Sequence, residues 1–379
     1  MRRDKRVLIV GAGFAGAVHA RELAEAGYLV DVVDQRDHIG GNAYDHVDRN
    51  GVRVHKYGPH LFHTSNAEVI EWLGRFSELI PYRHSVSARL PDSRLVPLPI
   101  NRETLETLFD TRLSSEEEAK ALLAAQADPV AEPRNADDYL RSRIGPRLTD
   151  LFFRPYTRKM WGLELEDMDP SVVKRIPLRL DYSRDYFPND TFQVLPREGY
   201  TALFTAILDH PNISVTLNQS FDDSLRKDAG WCFNAMAIDA YFDCALGELP
   251  YRSIRFHHET RPQAEVTGTA VVNYTDTGPF TRETRWCLLP GHDSGAGTGG
   301  TTVTVEEPCS YQDNGYERYY PVKTADGRYQ EIYRRYAAEA AKLERMTFIG
   351  RCGTYQYLDM HQVINQSLVQ CRKWIASNS

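Results

Sequence analysis

The hydrophobic pattern at the start of the chain predicts a strand, a helix and a second strand. Val7–Val10 is a continuous apolar run, which is typical of a strand covered on both faces. A helix is predicted from about residue 15 to 26, and Gly27 ends it. Residues 28–33 form a second, largely apolar run that finishes at Asp34. This order is typical of a doubly wound α/β domain with a parallel sheet.

Patterns further along the chain predict a helical region and a second sheet. An amphipathic helix is predicted at residues 66–76, and residues 82–89 alternate as in a strand. Asn101 is a predicted N-cap for a highly charged helical region that extends to about residue 151. Residues 249–256 and 267–274 alternate apolar and polar side chains, which favours an antiparallel sheet with one buried face.

Glycines between the first strand and the helix have the spacing that dinucleotide binding requires. Gly11 permits a sharp turn, Gly13 lets the backbone approach a pyrophosphate, and Gly16 lets the helix pack close to the strand. The helix N-terminus attracts phosphate charge, and Asp34 can accept hydrogen bonds from a ribose. A second glycine pair at residues 40–41 is either an ordinary loop or part of an FAD site. The sequence therefore predicts a dinucleotide cofactor.

Composition and charge make several partner classes unexpected. The 379-residue chain has 45 basic and 52 acidic side chains, a net charge of -7 and no basic tail, so nucleic acid is not an expected partner. No apolar run approaches the roughly 20 residues that span a bilayer, and we expect a soluble cytoplasmic protein with no membrane partner. The six cysteines form no C-x-x-C pair, which favours free thiols over a zinc or dithiol site.

Two stretches and one arginine carry candidate chemistry that the residues alone leave open. Three histidines fall within the nine residues from His55 to His63, and Gly58-Pro59 predicts a turn beside a flat group. Because this segment has no carboxylate or thiol, a flavin-facing loop or structural histidines are favoured, and no metal is predicted. The aromatic stripe of residues 152–162 is either core or binding surface. Arg175 is either a surface arginine or a bidentate ligand for a diphosphate.

Several motifs, in their order and spacing, resemble the bacterial UDP-galactopyranose mutases. They are GAGFAGAVHARELAEAG, DHIGGNAY, HKYGPHLFHTSN, KRIPLR, YYPV and Y-x-Y-x-D-M-x-Q. The resemblance covers nearly the whole chain and implies an α/β flavoprotein in three parts. The first is a discontinuous FAD-binding Rossmann-like domain of residues 1–65, 197–245 and 340–379. The second is a helical insertion domain of residues 66–80 and 100–172. The third is an antiparallel β-sheet domain of residues 81–99, 173–196 and 246–339.

The resemblance also implies which residues form the site. The cofactor-binding residues are expected to be Gly11, Gly13, Phe14, Ala15, Gly16, Asp34, Gln35, Arg36, Gly41, Asn42, Pro59, His60, Arg351, Tyr357, Asp359 and Met360. The substrate-binding residues are expected to be His84, Tyr156, Thr157, Trp161, Arg175, Tyr186, Asn273, Arg282, Tyr319 and Tyr357. The catalytic residues are expected to be His60, Arg175, Arg282 and Tyr357.

The chemistry implied by the resemblance is interconversion of a nucleotide-linked pyranose and furanose. UDP-galactopyranose and UDP-galactofuranose are the expected pair. In the family's mechanism, N5 of the reduced flavin attacks the anomeric carbon and expels the nucleotide diphosphate, so that no net oxidation occurs. Because FAD acts only in its reduced form, an external reductant is expected as a partner. The nucleotide sugar is the expected substrate, and a homodimer is the expected assembly.

Three departures from the family pattern leave the sugar open. Met236-Ala237 stands where the family usually has Gly-Pro, Ala245 stands where it has an arginine, and His84 stands where it often has an asparagine. An N-acetylated, pentose or 6-deoxy sugar is therefore an alternative substrate. A flavin oxidoreductase of the amine-oxidase type and a flavin-binding protein without activity are further alternatives.

Overall fold

A five-stranded parallel sheet organises the nucleotide-binding part of the computed structural model, which describes residues 5–174, 177–292 and 299–378. The central strand is buried from Val7 to Val10, as its apolar run predicts. All neighbouring strands are parallel, and in spatial order they are Ile213–Thr216, Leu29–Val33, Arg6–Val10, Trp231–Asn234 and Met346–Phe348. The predicted Rossmann-like sheet is thereby confirmed.

The helix that follows the glycine-rich turn packs closely against this sheet. It spans Phe14–Glu25 and packs against the helices Gly199–Leu208 and Met360–Asn378. A Cβ atom on Gly16 would lie 1.8 Å from the carbonyl oxygen of Gly11, so only glycine permits this approach. The close packing brings the start of the helix to the carboxyl end of the central strand, which is where such sheets bind ligands.

The second sheet has seven strands and is mixed rather than purely antiparallel. In spatial order its strands are Tyr320–Pro321, Tyr251–Pro262, Gly300–Ser310, Arg282–Arg285, Val271–Tyr274, Val86–Arg89 and Leu95–Leu98. The single parallel pairing joins Val271–Tyr274 to Val86–Arg89. The helical region lies between those two strands in the chain, and such a long crossover permits parallel pairing where a short hairpin does not.

Smaller elements connect the two sheets. In a three-stranded sheet, Phe192–Pro196 pairs with both Phe62–Thr64 and Leu79–Pro81. In a two-stranded sheet, Asp45–Val47 pairs with Arg53–His55. The remaining helices are Ala67–Gly74, Arg102–Phe109, Glu116–Gln126, Ala136–Leu148, Arg154–Trp161, Ser171–Lys174, Ile238–Tyr241, Arg328–Ala340 and Gly350–Gly353. The predicted N-cap is confirmed, because the Asn101 side chain accepts a hydrogen bond from the Thr104 amide at 3.0 Å.

Two further properties concern the described residues as a whole. Among them, no helix combines the length and the apolar character that crossing a bilayer requires. All six cysteines are free thiols.

The close packing at Gly16 can be tested by a single methyl group. We expect Gly16→Ala to lower the free energy of unfolding by about 1–3 kcal/mol or more, because the new Cβ overlaps a backbone oxygen that cannot move freely. Gly74→Ala is the matched control, since a Cβ at that helical position meets no atom within 4 Å. Urea denaturation of both variants measures the difference. Equal effects at the two positions would contradict the packing described.

Candidate active site

Three chain segments meet at the start of the helix Phe14–Glu25 and form a cradle of bare backbone. A Cβ atom on Gly41 would lie 2.9 Å from Cα of Gly13, and one on Gly350 would lie 2.9 Å from Cβ of Ala15. Gly13 is the N-cap residue, and no side chain caps the helix. The first N–H groups of the helix are therefore available to an anionic group such as a pyrophosphate.

The predicted ribose acid lies beside this cradle. Asp34 is 8% exposed and accepts hydrogen bonds from the Ala12 amide at 2.7 Å and the Arg36 amide at 2.9 Å. Each carboxylate oxygen keeps a second lone pair that a ribose hydroxyl can use. Gln35 is exposed next to it. The cradle and this acid together fit the diphosphate and ribose of FAD.

Phe14 contributes to this site through its main chain. Its ring is 8% exposed and lies 4.5 Å from the ring of Phe204, in the core behind the helix. Ala15 is 6% exposed and makes the contact with Gly350. Both residues belong to the first turn of the helix, where their amides face the expected position of the phosphate.

Arg36 connects the nucleotide-binding part to the second sheet's loops. Its guanidinium donates to Asn42 Oδ1 at 2.9 Å, forms an ion pair with Glu317 and lies 4.4 Å from the centre of the Tyr57 ring. Sequence reasoning identified Arg36 and Asn42 as cofactor residues but missed Glu317 and Tyr57. Glu317 comes from a distant segment that no motif marked, whereas Tyr57 lies within HKYGPHLFHTSN but was not selected.

The Gly-Pro-His loop borders a cleft whose side chains keep part of their surface open, as Arg282 does at 22% exposed. His60 Nδ1 lies 2.8 Å from the carbonyl oxygen of Gly58, and the His60 amide donates to His55 Nδ1 at 3.0 Å. Burial lowers the pKa of His60 to about 4, and the charges of Arg351 and Arg282 add to this effect. The His60 ring is therefore neutral at physiological pH.

A buried ion pair lies against this loop. Arg282 Nε is 3.2 Å from Glu306 Oε2, and the two side chains are 22% and 2% exposed. A Cβ atom on Gly58 would lie 3.2 Å from Glu306 Oε1. Arg282 also pairs with Asn273 across neighbouring strands, which brings that predicted substrate residue to the same place.

Burial and the attraction between the two charges have opposite effects on the pKa of each group in this pair. Burial opposes the charge of Arg282, but Glu306 raises the pKa of the guanidinium. Burial raises the pKa of Glu306, and Arg282 offsets part of that rise. Within the described residues, Arg282 Nε and Glu306 Oε1 have no hydrogen-bond partner of good geometry. Buried polar atoms without a partner are uncommon in folded proteins, which marks this pair as a candidate functional feature.

Aromatic side chains form the wall of the cleft around Arg282. Tyr320 stacks on Tyr357 with 5.5 Å between ring centres, and Trp161 lies 6.0 Å from Tyr357. Tyr156 is deeply surrounded, and the charge of Arg282 limits the rise in its pKa, which reaches about 12 through burial. The predicted Tyr156, Trp161 and Tyr357 therefore share one wall with Arg282.

The two tyrosines of the YYPV motif, Tyr319 and Tyr320, lie in different environments. The ring of Tyr319 is 4% exposed and lies 6.0 Å from the Tyr57 ring, towards Arg36. Tyr320, which sequence reasoning did not select, faces Tyr357 and Arg282. The YYPV motif marked the pair, but only the three-dimensional arrangement distinguishes its two members.

Tight anchoring fixes the helix Arg154–Trp161 against the second sheet. Lys159 Nζ donates to the carbonyl oxygens of Tyr274, Asp276 and Phe280 at 2.9, 2.8 and 2.8 Å. Arg252 Nε donates to the carbonyl oxygen of Met160 at 2.7 Å. This helix carries Tyr156, Trp161 and the predicted substrate residue Thr157, which is 3% exposed. The anchoring explains how an aromatic stripe can line a cleft rather than fill a core.

His84 and Tyr186 also lie near Arg282. The Tyr186 amide donates to the carbonyl oxygen of His84 at 2.8 Å, and the two rings are 5.5 Å apart. His84 is 5% exposed, and burial followed by the charge of Arg282 lowers its pKa to about 3. Arg175, which was predicted to bind the diphosphate, lies outside the described residues.

The C-terminal motif lies at the boundary between the two parts of the site. Arg351 donates to the carbonyl oxygens of Leu358 and Tyr319, the latter at 3.0 Å, so its guanidinium holds two loops together. Its charge also lies 5.4 Å from the centre of the Tyr357 ring. Asp359 and Met360 stand at the start of the helix Met360–Asn378.

The segment that carries Ala245 packs on the helix Arg328–Ala340. The residue is exposed, and the adjacent Leu246 amide donates to the Tyr336 hydroxyl at 2.9 Å, on the helix Arg328–Ala340. The departures at Ala245 and His84 both remain sequence-based reasons to expect a different sugar.

No group of three or more His, Cys, Asp or Glu side chains suited to a metal ion occurs in the described part of the chain. The histidines between residues 55 and 63 instead bond to protein groups. His63 Nδ1 lies 2.7 Å from Asp190 Oδ2, and its ring stacks on Phe187 at 3.6 Å.

The low pKa of His84 predicts acid-sensitive stability. An unfolded histidine titrates near 6.5, so below that pH the unfolded chain binds more protons than the folded chain until the folded pKa of about 3 is reached. Stability is therefore lost as the pH falls through this window, by up to about 1.4 kcal/mol per pH unit for this residue. We expect His84→Asn to reduce the slope of unfolding free energy against pH between 6 and 4.5. Urea denaturation at several pH values measures it, and an unchanged slope would mean that His84 is not buried as a neutral ring.

Comparisons with known proteins agree with this geometry. The UDP-galactopyranose mutase family model matches residues 151–357, and a model of the NAD(P)-binding Rossmann-like domain matches residues 9–76. A probable UDP-galactopyranose mutase of Klebsiella pneumoniae is 37% identical, over 99% of this chain and 96% of its own. A dTDP-fucopyranose mutase of Escherichia coli is 34% identical, over 98% of this chain and 99% of its own.

A solved structure supports the same fold. The crystal structure of a reduced UDP-galactopyranose mutase has a TM-score of 0.76 at 16% identity, and the match covers 98% of this chain and 94% of that chain. At that identity the likeness shows the fold alone. The family model and the full-length relatives show the family, and with the glycine cradle they assign FAD as the cofactor. The chain belongs to the UDP-galactopyranose mutase family, a family of flavin-dependent isomerases.

Proposed function

We propose that this protein interconverts UDP-galactopyranose and UDP-galactofuranose. The observation that carries the proposal is the Arg282–Glu306 pair, buried between the Gly-Pro-His loop and an aromatic wall. When bound and reduced, FAD supplies the nucleophile for the anomeric carbon and recovers its electrons within the cycle. The residues of the chain must then bind the nucleotide diphosphate, hold it after the glycosidic bond breaks and exclude water.

Arg282 is suited to stabilise the departing diphosphate. Its charge is held in a largely buried position, where an ionic interaction with phosphate is stronger than in water. Glu306 lies on the Nε side of the guanidinium, and this leaves the other N–H groups for a bidentate contact. Arg175 is proposed as the second diphosphate ligand, on the family resemblance.

Neutral groups around the pair are suited to the sugar and the nucleotide. Glu306 is 1% exposed and supports Arg282 from behind, so the polar groups left for the sugar are those of the surrounding rings. His60 and His84 are neutral at physiological pH, so they offer hydrogen bonds without adding charge. Tyr156 and Trp161 offer ring faces for the base and ribose. Tyr357 is proposed to donate to the diphosphate.

A 6-deoxy sugar on thymidine diphosphate is the second candidate. It is favoured by the full-length relative named dTDP-fucopyranose mutase and by His84, which stands where the family often has asparagine. Both substrates place the same diphosphate at Arg282, so the two candidates differ in the sugar and base contacts and share the reaction.

We also propose the conditions under which the protein works. An external reductant must convert FAD to its active form, and six free thiols fit a reducing cytoplasmic compartment. A homodimer is proposed on the family resemblance.

Conversion of defined substrates by the reduced protein tests the proposal. The FAD-loaded protein is reduced with dithionite under nitrogen and mixed with UDP-galactofuranose or with dTDP-fucopyranose, and the products are separated by chromatography. We expect UDP-galactopyranose from the first substrate, and only when the flavin is reduced. Conversion of dTDP-fucopyranose alone would select the second candidate, and conversion of neither would contradict both.

Variants of one strand show whether Arg282 carries the reaction. We expect Arg282→Lys to lower kcat by about 100-fold or more, since lysine cannot make the bidentate contact. Arg285→Lys is the matched control, because Arg285 lies on the same strand but bonds to Glu283 at 2.7 Å. A similar loss in both variants would point to damage of the strand rather than loss of a diphosphate ligand.

A further inference from the structure

Two buried histidines lie directly behind the Gly-Pro-His loop. His55 ends the strand Arg53–His55 and is 1% exposed, and His292 is 3% exposed. Their Nε2 atoms are 3.0 Å apart. Neither residue was assigned a role by sequence reasoning beyond the observation that histidines cluster in the loop.

The hydrogen bonds around the pair determine where each proton lies. His55 Nδ1 accepts from the His60 amide at 3.0 Å, so this nitrogen carries no proton. His292 Nδ1 lies 3.0 Å from the carbonyl oxygen of Pro290, which can only accept, so this nitrogen carries one. Two neutral rings then have a single consistent arrangement, in which His55 Nε2–H donates to His292 Nε2.

The groups that face the pair favour this neutral state. Burial lowers the pKa of His55 well below its usual value and that of His292 to about 4, and the charge of Arg53 lowers both. His60 lowers the pKa of His55 further, whereas Asp45 raises that of His292. Trp286 and Tyr200 complete the surroundings, with ring centres 4.9 and 5.4 Å from that of His55.

The segment that carries His292 is docked on the strand of His55. The Arg53 amide donates to the carbonyl oxygen of His292 at 2.8 Å, and Arg53 Nη1 donates to that of Gly291 at 3.2 Å. Trp286 Nε1 donates to Thr304 Oγ1 at 2.6 Å and holds the other end of the segment. The position of His292 is therefore set by backbone bonds, independently of its own ring.

We propose that His55 and His292 are positioning residues that hold the Pro59–His60 peptide in one orientation against the flavin site. The inference rests on the proposed function for its catalytic consequence. Because a trans peptide is planar, an amide N–H directed at His55 turns the Pro59 carbonyl to the opposite side. Protonation of His55 at Nδ1 would direct a second N–H at the His60 amide and break that hydrogen bond. Protonation of His292 at Nε2 would likewise oppose the N–H of His55. Both hydrogen bonds therefore form only when both rings are neutral.

Histidine tautomers measured by NMR test this arrangement directly. In the FAD-loaded protein labelled with 15N-histidine, we expect His55 to carry its proton on Nε2 and His292 on Nδ1, from pH 8 down to pH 5. Assignments come from His55→Gln and His292→Gln spectra. Equal tautomers in the two rings, or a charged ring in either at pH 7, would overturn the proposal whether or not the protein turns over a sugar.

Substitution of His292 tests its effect on the loop. Leucine at this position cannot accept from His55, whereas glutamine can, so we expect His292→Leu to accelerate hydrogen exchange of the His60 amide at least tenfold and His292→Gln to preserve protection. We also expect His292→Leu to lower kcat by about tenfold or more with KM little changed, because the loop is misplaced rather than the nucleotide site. His210→Leu, at a histidine that accepts a hydrogen bond from the Asn212 amide at 3.2 Å, is the control.

The outcomes separate this inference from the proposed function. Unchanged His60 exchange in His292→Leu would overturn the positioning role even if turnover fell. If His292→Leu does not fold, the tautomers of the unaltered protein still decide the question. If the tautomers are as expected but the protein converts no nucleotide sugar, the proposed reaction is refuted, whereas the positioning role of the two histidines is retained.

Discussion

The cost of holding the Arg282 charge inside the protein is the constraint on which the site depends. One buried carboxylate, Glu306, lies 3.2 Å away, and most of the remaining neighbours are aromatic rings. A charge in such surroundings is stable only if its geometry is fixed on several sides. The sheet fixes the arginine and its carboxylate in register, since Arg282 and Glu306 are direct partners on neighbouring strands. The helix Arg154–Trp161 is fixed by Lys159, which binds three carbonyl oxygens of the same sheet.

A second constraint comes from the cofactor cradle. Gly13, Gly41 and Gly350 bring three segments to backbone contact at one helix end, which locates the diphosphate of FAD. The flavin end must then reach the Gly-Pro-His loop, and that loop touches Glu306. The neutral ring of His60 lies near enough to the Arg282–Glu306 pair for the charge of Arg282 to lower its pKa. The Arg36–Glu317 pair makes a further connection at the nucleotide end.

Local patterns predicted what depends on neighbouring residues in the chain. The apolar run at Val7–Val10, the glycine spacing and the Asn101 cap each act within a few residues, and the structure has all three in place. The predicted helix end near Ala26 differs from the observed Glu25 by one residue. Family motifs added residues such as Arg282 and Tyr357, which no local pattern distinguishes from surface or core.

Features that depend on long-range pairing could not be predicted. Glu306 looks like an ordinary acid in an alternating strand until the register places it opposite Arg282. Tyr320 and Tyr319 are equivalent in sequence, and only packing separates their environments. His292 lies in none of the motifs, and its partner is 237 positions away.

Positional isotope exchange measures whether the protein reversibly cleaves the bond between the sugar and the diphosphate. UDP-galactopyranose carrying 18O in the bridging anomeric position is incubated with the protein, and 31P NMR follows the isotope shift. We expect the label to move into the non-bridging oxygens of the β-phosphate when the flavin is reduced. In Arg282→Lys we expect this movement to be slower. Retention of the label in the bridge by the reduced protein, with the nucleotide bound, would contradict the proposed reaction.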